Sequence, residues 1–168
     1  MITESLPARS KEKISQSIEE VYEKHSGMIF KISFSYMKNA ADAEDIVADV
    51  FVKLIKLNAK FQNDEHKKAW LLRTAINLCK NNLKHWRHKS IDIDECENLQ
   101  GECQIKINET LKAVMELPER YKAVIYLYYY EGYSTKEIAA ILKKPQSTIR
   151  VHLHTARKIL KGALENEE

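Results

Sequence analysis

Five polar side chains recur at alternating steps of three and four residues in the middle of the chain. They are Arg73, Asn77, Lys80, Lys84 and Arg87. In an α-helix this spacing places all five on one face, because each residue turns the helix by about 100°. Cationic and amide side chains on one surface can neutralise phosphates and hydrogen-bond to an unstacked base. The spacing therefore indicates a surface for single-stranded nucleic acid.

A second set of polar side chains lies near the end of the chain. Ser134 and Glu137 form the sequence pattern of a capping box, which predicts a helix that is followed by a short turn at 143–146 and a last helix. The second helix of such a pair can enter the major groove of DNA. Its outward residues are Ser147, Thr148, Arg150, Val151, His154 and Thr155. Arg150 could bind guanine in a bidentate manner. The alternative interpretation of the motif is an ordinary pair of antiparallel helices without a role in DNA binding.

The charge distribution favours a polyanionic partner. The chain has 168 residues, with 27 Lys and Arg against 24 Asp and Glu. Residues 66–91 contain seven basic residues and no acid, and residues 138–164 contain six basic residues and no acid. Between them, residues 92–102 contain five acids and no base. Solvated helix faces would explain one such block, but two basic blocks predict two phosphate-binding surfaces on either side of a linker.

Several classes of protein are not expected. The chain has no Ser/His/Asp set, phosphate-binding loop or paired catalytic carboxylates, so an enzyme is not predicted. His85 with His88, or Cys96 with Cys103, could each supply two metal ligands, but no further ligand has a matching spacing. We therefore expect no metal and no cofactor. No apolar run approaches the ~18 residues of a membrane span, and no secretory signal is predicted, which favours a cytoplasmic protein without membrane insertion.

Helical periodicity runs through almost the whole chain and predicts an all-α fold. We expect two small helical domains, at 14–89 and 106–164, joined by a flexible acidic linker at 90–105. The second domain is predicted to contain four helices and to end in a helix-turn-helix.

The apolar pattern also predicts details of the core. The first domain should begin with either one helix or a pair of helices broken at Ser26–Gly27. A helix over 43–55 should follow, capped by Asp42 and apolar through Ile55. A third helix, over 67–88, should bury a seam of apolar residues that ends in Trp86. Trp70 and the tyrosines between positions 126 and 130 are interpreted as packing residues.

Four stretches, at 42–56, 69–77, 116–142 and 147–160, resemble the signature regions of bacterial extracytoplasmic-function (ECF) sigma factors. They read DAEDIVADVFVKLIK, AWLLRTAIN, ELPERYKAVIYLYYYEGYSTKEIAAIL and STIRVHLHTARKIL. The resemblance covers nearly all of residues 14–164, in the expected order and spacing. It implies that the first domain is sigma region 2 and the second is sigma region 4.

The resemblance also implies three sets of site residues. The first set would bind the β′ clamp helices of core RNA polymerase: Asp42, Glu44, Asp45, Asp49 and Lys53. The second set would melt and hold the minus-ten promoter element: Arg73, Asn77, Lys80, Asn81, Lys84 and Arg87. The third set, in and after the helix-turn-helix at 135–154, would read the minus-thirty-five element: Thr135, Lys136, Ser147, Thr148, Arg150, Val151, His154, Thr155 and Arg157. Region 4 would also bind the β flap.

The expected partners are core RNA polymerase, promoter DNA and an anti-sigma factor that could be anchored in the membrane. The family often has Asp at position 81 and Arg at positions 84 and 155, where this chain has Asn81, Lys84 and Thr155. These differences bear on promoter preference. Two alternatives remain open from the residues alone: a stand-alone helix-turn-helix regulator, and an interaction protein that does not bind DNA.

Overall fold

The computed structural model describes residues 8–58, 60–89 and 109–166. It contains α1 (Ala8–Met37), α2 (Ala40–Leu57), α3 (Asp64–Lys89), α4 (Glu109–Met115), α5 (Glu119–Ile125), α6 (Thr135–Leu142) and α7 (Gln146–Glu165). A π-helical turn, Tyr126–Tyr130, continues α5. These residues include no strand, which confirms the predicted all-α fold. None of the described helices is long and apolar enough to span a membrane, and the predicted linker lies outside the described residues.

In the N-terminal half (α1–α3), α2 packs its apolar face against α1 and α3. The buried side chains of α2 are Ala43, Ile46, Val47, Val50, Phe51 and Leu54. The helix begins one turn earlier than predicted, because Asn39 is its N-cap and accepts a 2.8 Å hydrogen bond from the backbone N–H of Asp42. The prediction that Asp42 caps α2 is therefore wrong. Its carboxylate instead accepts a hydrogen bond from the side-chain amide of Asn39.

Two further predictions for this half are wrong, and the break considered at Ser26–Gly27 is absent. Helix α1 continues without a break through Ser26 and Gly27. A glycine costs an α-helix only about 1 kcal/mol, which the buried neighbours His25 and Ile29 can offset by packing. Ile55 is 58% exposed and Trp86 is 57% exposed. The apolar seam of α3 is buried at Cys79, half-buried at Leu83 and exposed at Trp86. The burial of the seam therefore decreases towards the C-terminal end of α3.

In the C-terminal half (α4–α7), the helix-turn-helix forms as the sequence predicts. Ser134 and Glu137 make the capping box of α6, with hydrogen bonds of 3.2 Å and 2.8 Å to each other's backbone N–H groups. The inward residues of α7 are Ile149, Leu153 and Ala156. Gly132 has a φ of 70°, and the N–H of the next residue, Tyr133, donates to the Leu127 carbonyl. This left-handed glycine ends the preceding helix.

The tyrosines of the π-helical turn do not all pack inward. Tyr126 is buried, whereas Tyr129 and Tyr130 are about half exposed. A π-helical turn has more residues per turn than an α-helix, which changes the direction of the side chains that follow. The packing role predicted for these tyrosines is therefore wrong for Tyr129 and Tyr130.

The two halves pack against each other, which the sequence did not reveal. The Tyr36 hydroxyl donates to the Glu119 carbonyl over 3.3 Å, and the Tyr126 hydroxyl donates to the Met28 carbonyl over 3.2 Å. Met115 of α4 forms an apolar cluster with Phe34 and Ala43 of the other half. Ion pairs Lys38–Glu116 and Lys68–Glu131 flank this contact. The described residues thus form a closed arrangement, and the main core contains buried residues of both halves.

Lys122 lies in the middle of this contact. Its side chain is only 3% exposed, and its Nζ donates a 2.8 Å hydrogen bond to the carbonyl of Ser35, in the last turn of α1. Carbonyls in the last turn of a helix have no partner inside the helix and carry the negative end of its dipole. Lys122 therefore caps a helix of the other half. Burial, followed by the charge of Lys38, lowers the pKa of Lys122 to about 8.

Candidate polymerase and nucleic-acid interfaces

The outward surface of α2 is acidic near its beginning and apolar near its end. Glu44, Asp45 and Asp49 are exposed, as is Lys53, while Asp42 is half-buried beside Asn39. The sequence reasoning missed three exposed apolar residues on the last turns: Val52, Ile55 and Leu57. A large apolar side chain left in water on a helix whose other face is already packed is a signal for a partner. We call this surface, residues 44–57, the α2 face.

The polar stripe of α3 is present on one side of the helix, as the spacing predicts. Asn77, Asn81 and Lys84 are exposed, while Arg73 and Lys80 are half-buried. The side chain of Arg87 lies outside the described residues. The stripe brings amide and ammonium groups together without a carboxylate among them, which suits contact with phosphates and base edges.

Part of this stripe faces the helix-turn-helix. Burial lowers the pKa of Lys80, and Lys144, in the turn between α6 and α7, lowers it further. The pKa of His152 on α7 is lowered by burial and then by Lys144, Arg120 and Lys80. Cationic groups of the two halves therefore approach one another where α3 meets α6. This repulsion opposes the closed arrangement, and the apolar and hydrogen-bonded contacts around Lys122 offset it.

The helix-turn-helix is held by its own turn. Lys143 has a φ of 52° and ends α6 in the left-handed conformation. Gln146, at the start of α7, donates a 3.0 Å hydrogen bond from Nε2 to the Oγ1 of Thr135 at the start of α6. This bond fixes the angle between the two helices at their N-terminal ends. The hydrogen bond of Gln146 was not predicted from the sequence, because its partner lies eleven residues away and the two positions share no helical face.

The side chains predicted to read DNA lie on the outer side of α6 and α7. Lys136, Ser147, Arg150, Val151 and His154 are exposed, while Thr148 and Thr155 are half-buried. The N-terminal two turns of α7 thus present hydroxyl, guanidinium and imidazole groups together with the Val151 side chain, which is 62% exposed. This is the chemistry needed at base edges: donors, acceptors and an apolar group that can contact a thymine methyl.

Arg157 lies farther along the same side of α7 and has a specific partner. Its Nε donates a 2.6 Å hydrogen bond to the hydroxyl of Tyr129. Its guanidinium also lies 5.2 Å from the centre of the Tyr128 ring. The sequence predicted Arg157 as a DNA contact but interpreted both tyrosines only as packing residues.

Comparisons with known proteins agree with this architecture. Residues 21–89 match the family model of Sigma-70 region 2, and residues 107–160 match that of Sigma-70, region 4. The RNA polymerase sigma factor SigV of Bacillus subtilis is 31% identical over 150 residues, which span 86% of this chain and 89% of SigV. The ECF RNA polymerase sigma-E factor of Escherichia coli K12 is 29% identical over 144 residues, which span 75% of each chain.

A solved structure shares the arrangement of helices. The sigma factor RpoE of Bartonella quintana, in complex with the anti-sigma factor NepR, superposes with a TM-score of 0.70 and 20% identity. The match covers 91% of this chain and 99% of RpoE. Together, the matches to both sigma regions, the 31% identity with SigV and the closed helical fold establish the family. The chain belongs to the sigma-70 family, as an ECF RNA polymerase sigma factor.

Proposed function

We propose that this sigma factor uses residues 14–89 as region 2 and residues 106–164 as region 4, with residues 90–105 as the linker. The observation that carries the proposal is the presence of an acidic α2 face and two acid-free basic surfaces on separate halves of one chain. The test is co-purification with core RNA polymerase, followed by run-off transcription from a promoter that the complex selects. A chain that neither co-purifies nor supports transcription would contradict it.

The α2 face is the proposed contact with the β′ clamp helices. Glu44, Asp45 and Asp49 provide negative charge for a basic partner surface, which would speed association and set orientation. Val52 and Ile55 extend this face with apolar area that a partner would bury. The acidic residues would then lie beside an apolar patch, a combination of polar and apolar area that specific protein interfaces share.

We expect Asp45→Lys to weaken association with core polymerase while leaving the fold intact. Asp45 is exposed, so the free energy of unfolding should change by no more than about 0.5 kcal/mol. The introduced ammonium would meet like charge on the partner surface. Co-purification with core polymerase and urea unfolding measure the two effects.

Glu20→Lys provides a matched control for this charge reversal, because Glu20 is exposed on α1 and lies outside the α2 face. It should leave co-purification unchanged. Equal binding of the Asp45→Lys and wild-type proteins would remove the α2 face from the proposal.

The two basic surfaces are proposed to act at different steps. The α3 stripe would hold the opened strand of the minus-ten element, with Lys84 on a phosphate and Asn77 and Asn81 on a base. The N-terminal turns of α7 would read the minus-thirty-five duplex, with Arg150 on a guanine edge. Thr135 and Lys136 on α6 would lie where the first helix of the motif crosses the DNA backbone.

We expect Lys84→Ala and Arg150→Ala to affect different steps. Lys84→Ala should impair strand opening and leave duplex capture largely intact. Arg150→Ala should cost on the order of 1–3 kcal/mol of discrimination at one position of the upstream element. Permanganate footprinting and duplex binding of the holoenzyme measure the two steps separately.

The control for these variants is Lys31→Ala, which removes an exposed lysine of α1 outside both basic surfaces. It should change neither step. If both test variants shift the same step to the same extent, the assignment of two separate surfaces is wrong.

An anti-sigma factor is the proposed regulator. The structurally similar RpoE of Bartonella quintana was solved in complex with one. In this chain, a protein that covers the α2 face and α6–α7 would block polymerase and upstream DNA together. The closed arrangement brings these surfaces into one compact body, so a single partner could reach both. A membrane-anchored partner would bring this sigma factor into the membrane fraction, which fractionation of cells measures.

A further inference from the structure

Arg157 is exposed to solvent, yet two tyrosines of the π-helical turn hold its guanidinium in place. The Nε donates to the Tyr129 hydroxyl over 2.6 Å, and the guanidinium carbon lies 5.6 Å from the centre of the same ring. The Tyr128 ring, 5.2 Å from that carbon, meets the Tyr129 ring at 74°. An exposed arginine ordinarily samples many rotamers. This guanidinium is instead ordered in one direction.

The partner of Arg157 is neutral, which matters for its chemistry. A carboxylate in the place of the Tyr129 hydroxyl would order the guanidinium but would also offset its charge. The phenol orders it and leaves the positive charge available. A guanidinium has five N–H donors, and the bond from Nε uses one of them. The two terminal nitrogens carry the other four N–H donors, more than the neighbouring Tyr128 hydroxyl can occupy, so donors remain for the oxygens of a phosphate.

The position of Arg157 along α7 indicates what it meets on DNA. Arg150, His154, Arg157 and Lys161 lie at steps of four, three and four and are all exposed, so they form one stripe. Arg157 is seven residues beyond Arg150, or about 10 Å along the helix axis. The major groove is about 12 Å wide. With Arg150 at a base edge, Arg157 therefore reaches the phosphates that border the groove.

We propose that Arg157 binds a backbone phosphate beside the minus-thirty-five element, and that Tyr129 is the positioning residue that holds its guanidinium for this contact. The inference rests on the proposed function, since it requires α7 to lie on upstream DNA. It makes Arg157 a contact for affinity and register rather than for sequence. It also gives the π-helical turn a role in DNA binding, because this turn carries Tyr129.

The experiment measures binding of the reconstituted holoenzyme to a promoter duplex that the wild-type holoenzyme selects from a randomised library. Each variant is titrated over a series of salt concentrations, on the selected duplex and on one with a scrambled upstream element. Arg157→Gln should weaken binding by about tenfold on both duplexes. It should also reduce the slope of log Kobs against log salt by about 0.9, the value for one phosphate contact.

Variants of Tyr129 separate positioning from charge. Tyr129→Phe removes only the hydroxyl, so binding should weaken about threefold to fivefold with the salt slope unchanged. Tyr129→Glu should pair with Arg157 and keep the protein folded, yet weaken binding as much as Arg157→Gln and reduce the slope equally. Tyr130→Phe is the matched control, because Tyr130 stacks on Tyr126 and makes no contact with Arg157. Thermal unfolding of each variant shows whether the fold is retained.

Each outcome bears on one claim. An unchanged salt slope for Arg157→Gln would overturn the phosphate contact, and equal binding by Tyr129→Phe and Tyr130→Phe would overturn the positioning role. Arg150→Ala distinguishes failure of this inference from failure of the proposed function. If Arg150→Ala lowers discrimination at one position of the upstream element while the Arg157 and Tyr129 variants bind normally, only the inference is wrong. If Arg150→Ala also has no effect, α7 does not read the upstream element.

Discussion

In a gel-shift assay, the chain alone should bind promoter duplex weakly and without sequence preference, and core polymerase should make binding specific. Elements centred at minus ten and minus thirty-five lie about 85 Å apart at ~3.4 Å per base pair. A compact chain of 168 residues has a radius of gyration of about 15 Å. The closed arrangement therefore cannot reach both elements. Polymerase would hold the halves apart, and the second contact would gain about 10²–10⁴ from effective concentration.

The assay compares the selected promoter with a scrambled duplex, with and without core polymerase, at low and near-physiological salt. The lone chain should lose both complexes as salt rises, because its binding depends on phosphate contacts. Specific, salt-resistant binding by the lone chain would instead support the stand-alone regulator. The same assay tests Lys84→Ala on a duplex whose strands are already separated. Loss of binding by this variant would show that the α3 stripe contributes by contacting the opened strand.

Reversing the charge at Lys122 should separate the two halves. In Lys122→Glu, a buried carboxylate would face the Ser35 carbonyl and the negative end of the α1 dipole, with Glu116 and Glu119 nearby. An unpaired buried charge costs about 3–5 kcal/mol, which changes the ratio of closed to open molecules by about 150-fold to 5,000-fold. Small-angle scattering should show a larger radius of gyration. Lys112→Glu, an exposed charge reversal on α4, should leave it unchanged.

The conservative variant Lys122→Met tests the same contact without a buried carboxylate. It leaves the Ser35 carbonyl without its donor, at a cost of about 1–3 kcal/mol. Urea unfolding of Lys122→Met should show this loss. A radius of gyration that stays at the wild-type value in Lys122→Glu would show that Lys122 does not hold the halves together.

The pH dependence provides an independent readout. The pKa of Lys122 is about 8 in the closed state and near 10.5 when exposed, so between these values the unfolded chain binds the additional proton. The free energy of unfolding therefore rises with pH from 8 towards 10.5. The other charged groups that act on Lys122 are Lys38, Glu116 and Glu119. Burial raises the pKa of Tyr36 and brings that of Cys79 to about 12, so these two neighbours keep their protons near pH 9. The rise should be absent in Lys122→Met.

The helices and their buried faces follow from the sequence because they depend on residues three or four positions apart. The apolar pattern of α2, the polar stripe of α3, the capping box of α6 and the inward residues of α7 are all local in this sense. The errors arose where a local rule had a competitor. Asn39 capped α2 instead of Asp42, and packing carried α1 through Gly27. Ile55 and Trp86 fit the apolar spacing, but more than half of each side chain is exposed.

The sequence by itself determined the all-α fold, the helix-turn-helix and the sets of side chains that could bind nucleic acid. Only the tertiary structure decided how the two halves meet and which side chain orders Arg157. Lys122 and Ser35 are 87 residues apart, Tyr126 and Met28 are 98 apart, and Tyr129 and Arg157 are 28 apart. No periodicity links such pairs, because each depends on the packing of separate helices. The buried Lys122 cap and the ordering of Arg157 by Tyr129 are therefore properties of the folded molecule, although every side chain involved is visible in the sequence.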